Sequence, residues 1–153
     1  MPELSKRYQI LERAKEVLSS ITAGNDYFLT PGHVEIGLRP IDEIKAFPAY
    51  FLSIGASKGE INHYTSGLTW EVFDLVVDGV VKGSADLPAL VEKALADVRL
   101  AIRKDFDNNV SGLGALALEL KTSGGPETDE GSLASLGFGF FEQRFEVTIE
   151  NIE

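Results

Sequence analysis

Asp105-Phe106-Asp107-Asn108-Asn109 is the stretch whose residue types come nearest to chemistry, because carboxylate and amide oxygens in this order open a calcium loop. The pattern then fails. Its sixth position is Val110 where the loop needs Gly, and its twelfth is Leu116 where a bidentate Glu closes the site. Acidic and amide residues that follow a helix are ordinary turn chemistry. The histidines are His33 and His63, and Glu60 precedes the second by three residues. On a helix, Glu60 and His63 could share a metal. Gly59 before them and Thr65-Ser66-Gly67 after them predict a loop and a surface histidine instead.

Gly112-Leu113-Gly114-Ala115-Leu116-Ala117 satisfies a relaxed dinucleotide fingerprint. That motif needs a strand before it and a helix after it, so that the helix N-terminus faces the pyrophosphate. Here the order is reversed. No glycine-rich loop ends in Lys-Ser or Lys-Thr, and no serine sits in a Gly-x-Ser-x-Gly elbow. Asp74 and Asp78 fall on one face of a predicted strand, where they read as its polar side rather than as an acid/base pair. With no cysteine there is no disulfide, thiolate metal site or thiol nucleophile. The sequence therefore predicts no catalytic, cofactor-binding or metal-binding residue, and no enzyme.

The element that must position everything else is Asp86–Lys104. Leu87, Leu90, Val91, Ala94, Leu95, Val98, Ala101 and Ile102 share one helical face. Asp86 is placed to cap it, Pro88 suits its first turn, and Arg99, Arg103 and Lys104 suit the negative end of its dipole. Apolar, strand-like runs flank it, which predicts a helix lying on the inner face of a sheet.

The spacing predicts another amphipathic helix over Leu4–Ile21, with Leu4, Tyr8, Leu11, Ala14, Leu18 and Ile21 on one side, widened by Ile10 and Val17. Val34, Ile36 and Leu38 alternate with polar residues between Pro31 and Pro40, which predicts a short edge strand. Ala46–Ile54 is the next strand, Gly55–Gly67 a polar hairpin or long loop, and Leu68–Val77 a strand ended by an Asp78-Gly79 turn. After the central helix, Phe106–Gly114 turns the chain. Ala115–Leu120 alternates enough for a strand, although Ala and Leu also suit a helix. Thr122–Ser135 reads as a loop, and Phe140–Ile149 as a strand with Phe145, Val147 and Ile149 facing one way. With no repeat and no linker, residues 1–153 form one domain. The fold class is α+β: a mixed, mainly antiparallel sheet of four to six strands with two amphipathic helices packed on it.

A chain of this length with 44% apolar residues can bury roughly two-thirds of its unfolded surface without a staple. Its net charge of −10 argues against a general nucleic-acid binder, which needs a basic footprint. Residues 127–153 carry seven carboxylates against Arg144 alone. That is either a solvated face or a surface that repels polyanions or docks a basic partner. The first residues lack the apolar core of a signal peptide, and no run of roughly 18 apolar residues occurs. The expectation is a cytoplasmic start and no membrane association.

What remains is surface. Ala89, Ala96 and Leu100 line up beside Lys93 on the outer side of the central helix, either incidentally or as a place for a neighbour to approach. Gly137-Phe138-Gly139-Phe140-Phe141 follows the acidic stretch and reads as the start of a core strand. Taken together, the opening helix LERAKEVLSSI, the Phe47-Pro48-Ala49 opening of AFPAYFLSIG, the strand LTWEVFDLVV before the central helix, and the late TSGGPETDEGSLASLGFGFF running into RFEVTIE carry a resemblance. The chain resembles the tail terminator (tail completion, minor tail U-type) proteins of long-tailed bacteriophages and prophages, over nearly its whole length.

The resemblance implies a structural subunit that closes into a ring, usually a hexamer. The ring caps the tail tube, ends its polymerisation and presents a surface to the head-tail connector. The subunit would work first in the host cytoplasm and then in the virion tail, with DNA only passing through the lumen. An acidic lumen would not hold the phosphate backbone. No cofactor is implied. The oligomer or tube interface is expected among Lys58, Glu60, Ala89, Lys93, Ala96, Leu100, Thr122, Asp129 and Glu130. Two other readings stand beside it: a head-tail joining (neck) subunit, and a small-molecule-binding α/β domain or enzyme using Asp74, Asp78, His63 or Glu60.

Overall fold

The computed structural model describes residues 5–24, 26–63, 68–129 and 137–152, with 56–63, 68–69, 123–129 and 151–152 described by backbone alone. Five strands form one sheet in the order β1-β2-β3-β5-β4. They are β1 (His33–Ile36), β2 (Ala49–His63), β3 (Leu68–Lys82), β4 (Glu119–Asp129) and β5 (Phe138–Ile152). β1 runs parallel to β2, and every other pairing is antiparallel. Two long helices, α1 (Lys6–Ser19) and α2 (Leu87–Asp107), and one short helical turn, α3 (Leu113–Leu116), complete the α+β fold.

α2 forms where the apolar period predicts it. Leu87, Val91, Ala94, Leu95, Val98, Ala101 and Ile102 are buried against the inner face of the sheet, while Leu90 is half-buried. Asp86 does not cap the helix: its carboxylate accepts the N–H of Ser84 at 3.0 Å. Arg99 turns inward and donates to Gln143 Oε1 at 2.8 Å, so the fully buried amide of Gln143 is satisfied from the helix layer. In α1 the buried face is Ile10, Leu11, Ala14, Val17 and Leu18, with Ser5 capping the N–H of Tyr8. Ile10 is fully buried in the stripe, while Val17 at 9% and Leu11 at 8% exposure lie at its two margins. Tyr8 is 40% exposed, and Leu4 lies outside the described residues.

The strands are longer than their apolar runs. β2 continues through Gly55 to His63 and pairs antiparallel with β3, so of the polar hairpin or long loop expected over Gly55–Gly67 the hairpin is found, with register shifts between Ile54 and Gly59; residues 64–67 lie outside the described residues. Asp78-Gly79 is no turn. Asp78 pairs with Phe51 and Glu142, and Gly79 with Tyr50 and Phe141. Gly79 is there because the Phe141 ring fills its space: a Cβ at 79 would stand 2.1 Å from Phe141 Cε1.

Residues 122–129 belong to β4 rather than to a loop, and 130–135 lie outside the described residues. The strand expected from Ala115 starts at Glu119, after the helical turn of α3. In these cases ladder hydrogen bonds from a neighbouring strand outweigh weak local preference. β1 is an edge as expected, yet all four of its residues are half-buried instead of alternating. β5 alternates as predicted, with Phe145, Val147 and Ile149 in the core. Among the described residues no helix is long and apolar enough to cross a membrane.

Candidate functional site

Helices cover the inner face of the sheet, and the other face is covered only in part. There the chain between β1 and β2 folds over, and Ile44, Ala49, Phe51 and Val80 form a small second core flanked by Ile41, Phe47, Phe138 and Phe140. Lys82 Nζ stands 5.7 Å from the Phe138 ring and 5.9 Å from the Phe47 ring, closing one end with a cation over aromatic faces. Beyond that cover lies a groove of about 550 Å³. Leu38, Arg39, Ile41 and Ile44 form one wall, and Phe51, Val80 and Phe140 with Asp78 and Glu142 line the sheet side.

Strand alternation carries the electrostatics, because outward-facing residues of β3 and β5 meet across the ladder. Asp78 lies directly opposite Glu142. Partial burial, then the Glu142 charge and a hydrogen bond shared with it, push Asp78 up to about 6, against a smaller opposing pull from Arg144. Arg144 forks along the same row, Nε donating to Glu142 Oε1 at 2.7 Å and Nη1 to Asp74 Oδ2 at 3.4 Å. Gly55 leaves room for it, since a Cβ there would stand 3.2 Å from Arg144 Nη1. On the groove's other side, Arg39 and His33 both bond Glu35, which falls to about 2 as a result.

The opposite surface of the domain is the outward side of α2. Ala89, Lys93 and Ala96 are exposed and Leu100 is 39% exposed. Lys93 Nζ sits 6.0 Å from the ring of Phe28, which is itself 60% exposed. Phe28 is presented there because its N–H, like that of Leu29, is held by the buried carboxylate of Asp97 at 2.9 Å.

The residues expected at an interface therefore fall in separate places. Ala89, Lys93, Ala96 and Leu100 share one helix face. Lys58 and Glu60 lie on the β2 arm of the β2–β3 hairpin, Glu60 paired with Glu71. Thr122 is exposed near the start of β4 and accepts from Arg103 at 3.5 Å, and Asp129 ends that strand opposite Phe140. Glu130 lies outside the described residues.

The chemical motifs are also accounted for. Asp105 is committed to Arg13 and to the N–H of Leu113, and Asn108 Oδ1 accepts from Val110 and Ser111, which is turn chemistry. Glu60 and His63 are on a strand, so the helical spacing that would let them share a metal is missing. Asp74 and Asp78 do share a face, but four strand residues set them roughly 13 Å apart, too far for a working pair. Among the described residues no three His, Cys, Asp or Glu side chains gather to hold a metal ion.

Sequence reasoning missed the carboxylate row as a unit and missed Phe28 altogether. The alternation of Glu142, Arg144 and Glu146 was visible, but the register that sets Glu142 against Asp78 was not. No protein-family model matches this chain, and no curated protein matches it.

Proposed function

We propose that this chain is a ring-forming assembly subunit of the tail-terminator kind, which caps a phage tail tube, stops its growth and offers a docking surface to the head connector. One observation carries the reading. The sheet is roofed by helices on one face only, so the domain has two broad, unlike surfaces: an apolar groove edged by carboxylates, and a helix face bearing Lys93 and Phe28. A ring needs that asymmetry, because its contacts are heterologous and each subunit must offer two different patches. The sequence resemblance supplies the biological setting: tube protein below, connector above, assembly in the host cytoplasm and residence in the virion tail.

The mechanism is one of shape and charge. Closure of the ring ends tube growth by replacing the surface on which the next layer would stack. The net charge of −10 suits a lumen through which DNA passes, because a surface without a basic footprint gains nothing from counterion release and does not grip the phosphates. Duplex DNA should show no binding at about 0.15 M salt, where even weak non-specific binders register.

Mass photometry and negative-stain microscopy with and without purified tail-tube protein test the reading. Rings alone, or caps at tube ends that halt elongation, support it. A monomer that leaves tubes growing unchecked sinks it. Deleting the gene separates termination from neck joining: overlong tails mean the first, normal tails detached from filled heads the second.

A further inference from the structure

We infer that the groove and the Lys93–Phe28 face of α2 are the two halves of one contact, the groove of one copy receiving Phe28 and Lys93 of the next. The inference deepens the ring reading and rests on it. The groove's chemistry asks for a particular occupant. Its walls are aliphatic and aromatic (Leu38, Ile41, Phe51, Phe140), while Asp78 and Glu142 stand side by side at its edge. The two cations there are already paired, Arg39 in the wall with Glu35 and Arg144 beside it with Glu142 and Asp74, which leaves carboxylates in excess. An apolar body carrying a positive charge satisfies both parts.

The chain displays that object on its other side. Phe28 is the most exposed aromatic side chain among the described residues, and Lys93 lies over its ring. The N–H groups of Phe28 and Leu29 donate to the buried carboxylate of Asp97 and hold this segment in place, so the knob is pre-set rather than ordered on contact. Groove and knob lie on opposite faces of a two-layer domain. A contact between them is head-to-tail, and repeated head-to-tail contacts close into rings or run on as filaments. Leu38, 70% exposed at the groove's rim, gains cover in the same contact.

The test uses the full-length protein and substitutions at exposed positions. Lys93→Glu and Leu38→Glu are each expected to weaken self-association at least about tenfold, as loss of an interfacial charge partner or anchor does. Mixing the two variants is the decisive step. One has an intact groove and the other an intact knob, so the mixture forms one-to-one dimers that cannot grow. Because the chain has no cysteine, an Arg39→Cys, Ala96→Cys double variant, which keeps Leu38 and Lys93 in place, should give a ladder of disulfide-linked copies on oxidation, while Leu118→Cys with Ala96→Cys should not.

Variants that assemble like the parent, a mixture that stays monomeric, or a parent that is monomeric both free and on tubes would each overturn the inference. So would a monomeric parent whose melting temperature is raised by phenethylamine, since a small cation would then own the groove. The two levels fail separately. Dimers and ladders from a protein that never caps tubes leave the contact standing and remove the phage reading. Tube capping by both single variants does the reverse.

Discussion

Asp105, near the end of α2, grips the guanidinium of Arg13 on α1 at two points, Oδ2 to Nε at 2.9 Å and Oδ1 to Nη2 at 2.6 Å. Oδ2 also accepts the N–H of Leu113 at 2.9 Å, so one carboxylate joins α1, α2 and the first residue of α3. The same contact holds the Arg13 proton more firmly than usual. The carboxylate side chain is 10% exposed, which removes much of the solvent screening that makes surface pairs weak. Arg13→Met and Asp105→Asn should each cost about 2 kcal/mol in urea unfolding, with the double variant costing less than their sum. Strict additivity would mean that the two side chains do not interact energetically.

Asp97 is 1% exposed and spends both oxygens on the N–H groups of Phe28 and Leu29. Its charge, after burial itself, pushes the Tyr50 hydroxyl above its ordinary range. Asp97→Ala should cost about 2–4 kcal/mol, since it strips two buried donors of a charged acceptor. Hydrogen exchange should quicken at the Phe28 and Leu29 amides first. Unchanged protection there would remove the anchoring role.

Asp78 has a pH signature. Its folded value of about 6 lies above its ordinary 3.8, so the folded state holds the proton more tightly than the unfolded chain. That stabilisation is complete below about pH 4 and is lost as the pH rises through about 6. Asp78→Asn should therefore stabilise the protein at pH 7 by about 1 kcal/mol, a figure reduced for the group's partial exposure, and change little at pH 4. Equal effects at the two pH values would count against a raised Asp78 carboxyl, whose main cause is its burial and then the charge of Glu142.

Gly79→Ala should destabilise by about 2–3 kcal/mol, because the new methyl lands on the Phe141 ring inside the core. Gly79→Ala with Phe141→Leu should recover part of that loss. If the second substitution only adds its own penalty, the glycine is needed for the backbone rather than for the ring.

The legible parts of this protein are those whose signal is local. The burial of Val91, Leu95, Val98 and Ile102 follows from a 3.6-residue period, and that of Phe145, Val147 and Ile149 from a period of two. Strand ends were less readable. The ladder carries polar residues such as Ser57 and Glu60 whenever a partner strand supplies hydrogen bonds, and the Asp78-Gly79 pair, a turn by its types, is held extended between two neighbours.

Composition, the helix faces and the strand alternation were determined by the sequence alone, since each depends on residues within a turn or two of one another. The tertiary structure decided the rest: Asp78 against Glu142, Gly79 beneath Phe141, Asp97 holding Phe28, and a sheet left half-open on one side. These are relations of register and packing between segments far apart in the chain. A one-residue slip would turn each side chain to the other face, and no single segment's pattern records which slip the fold chooses.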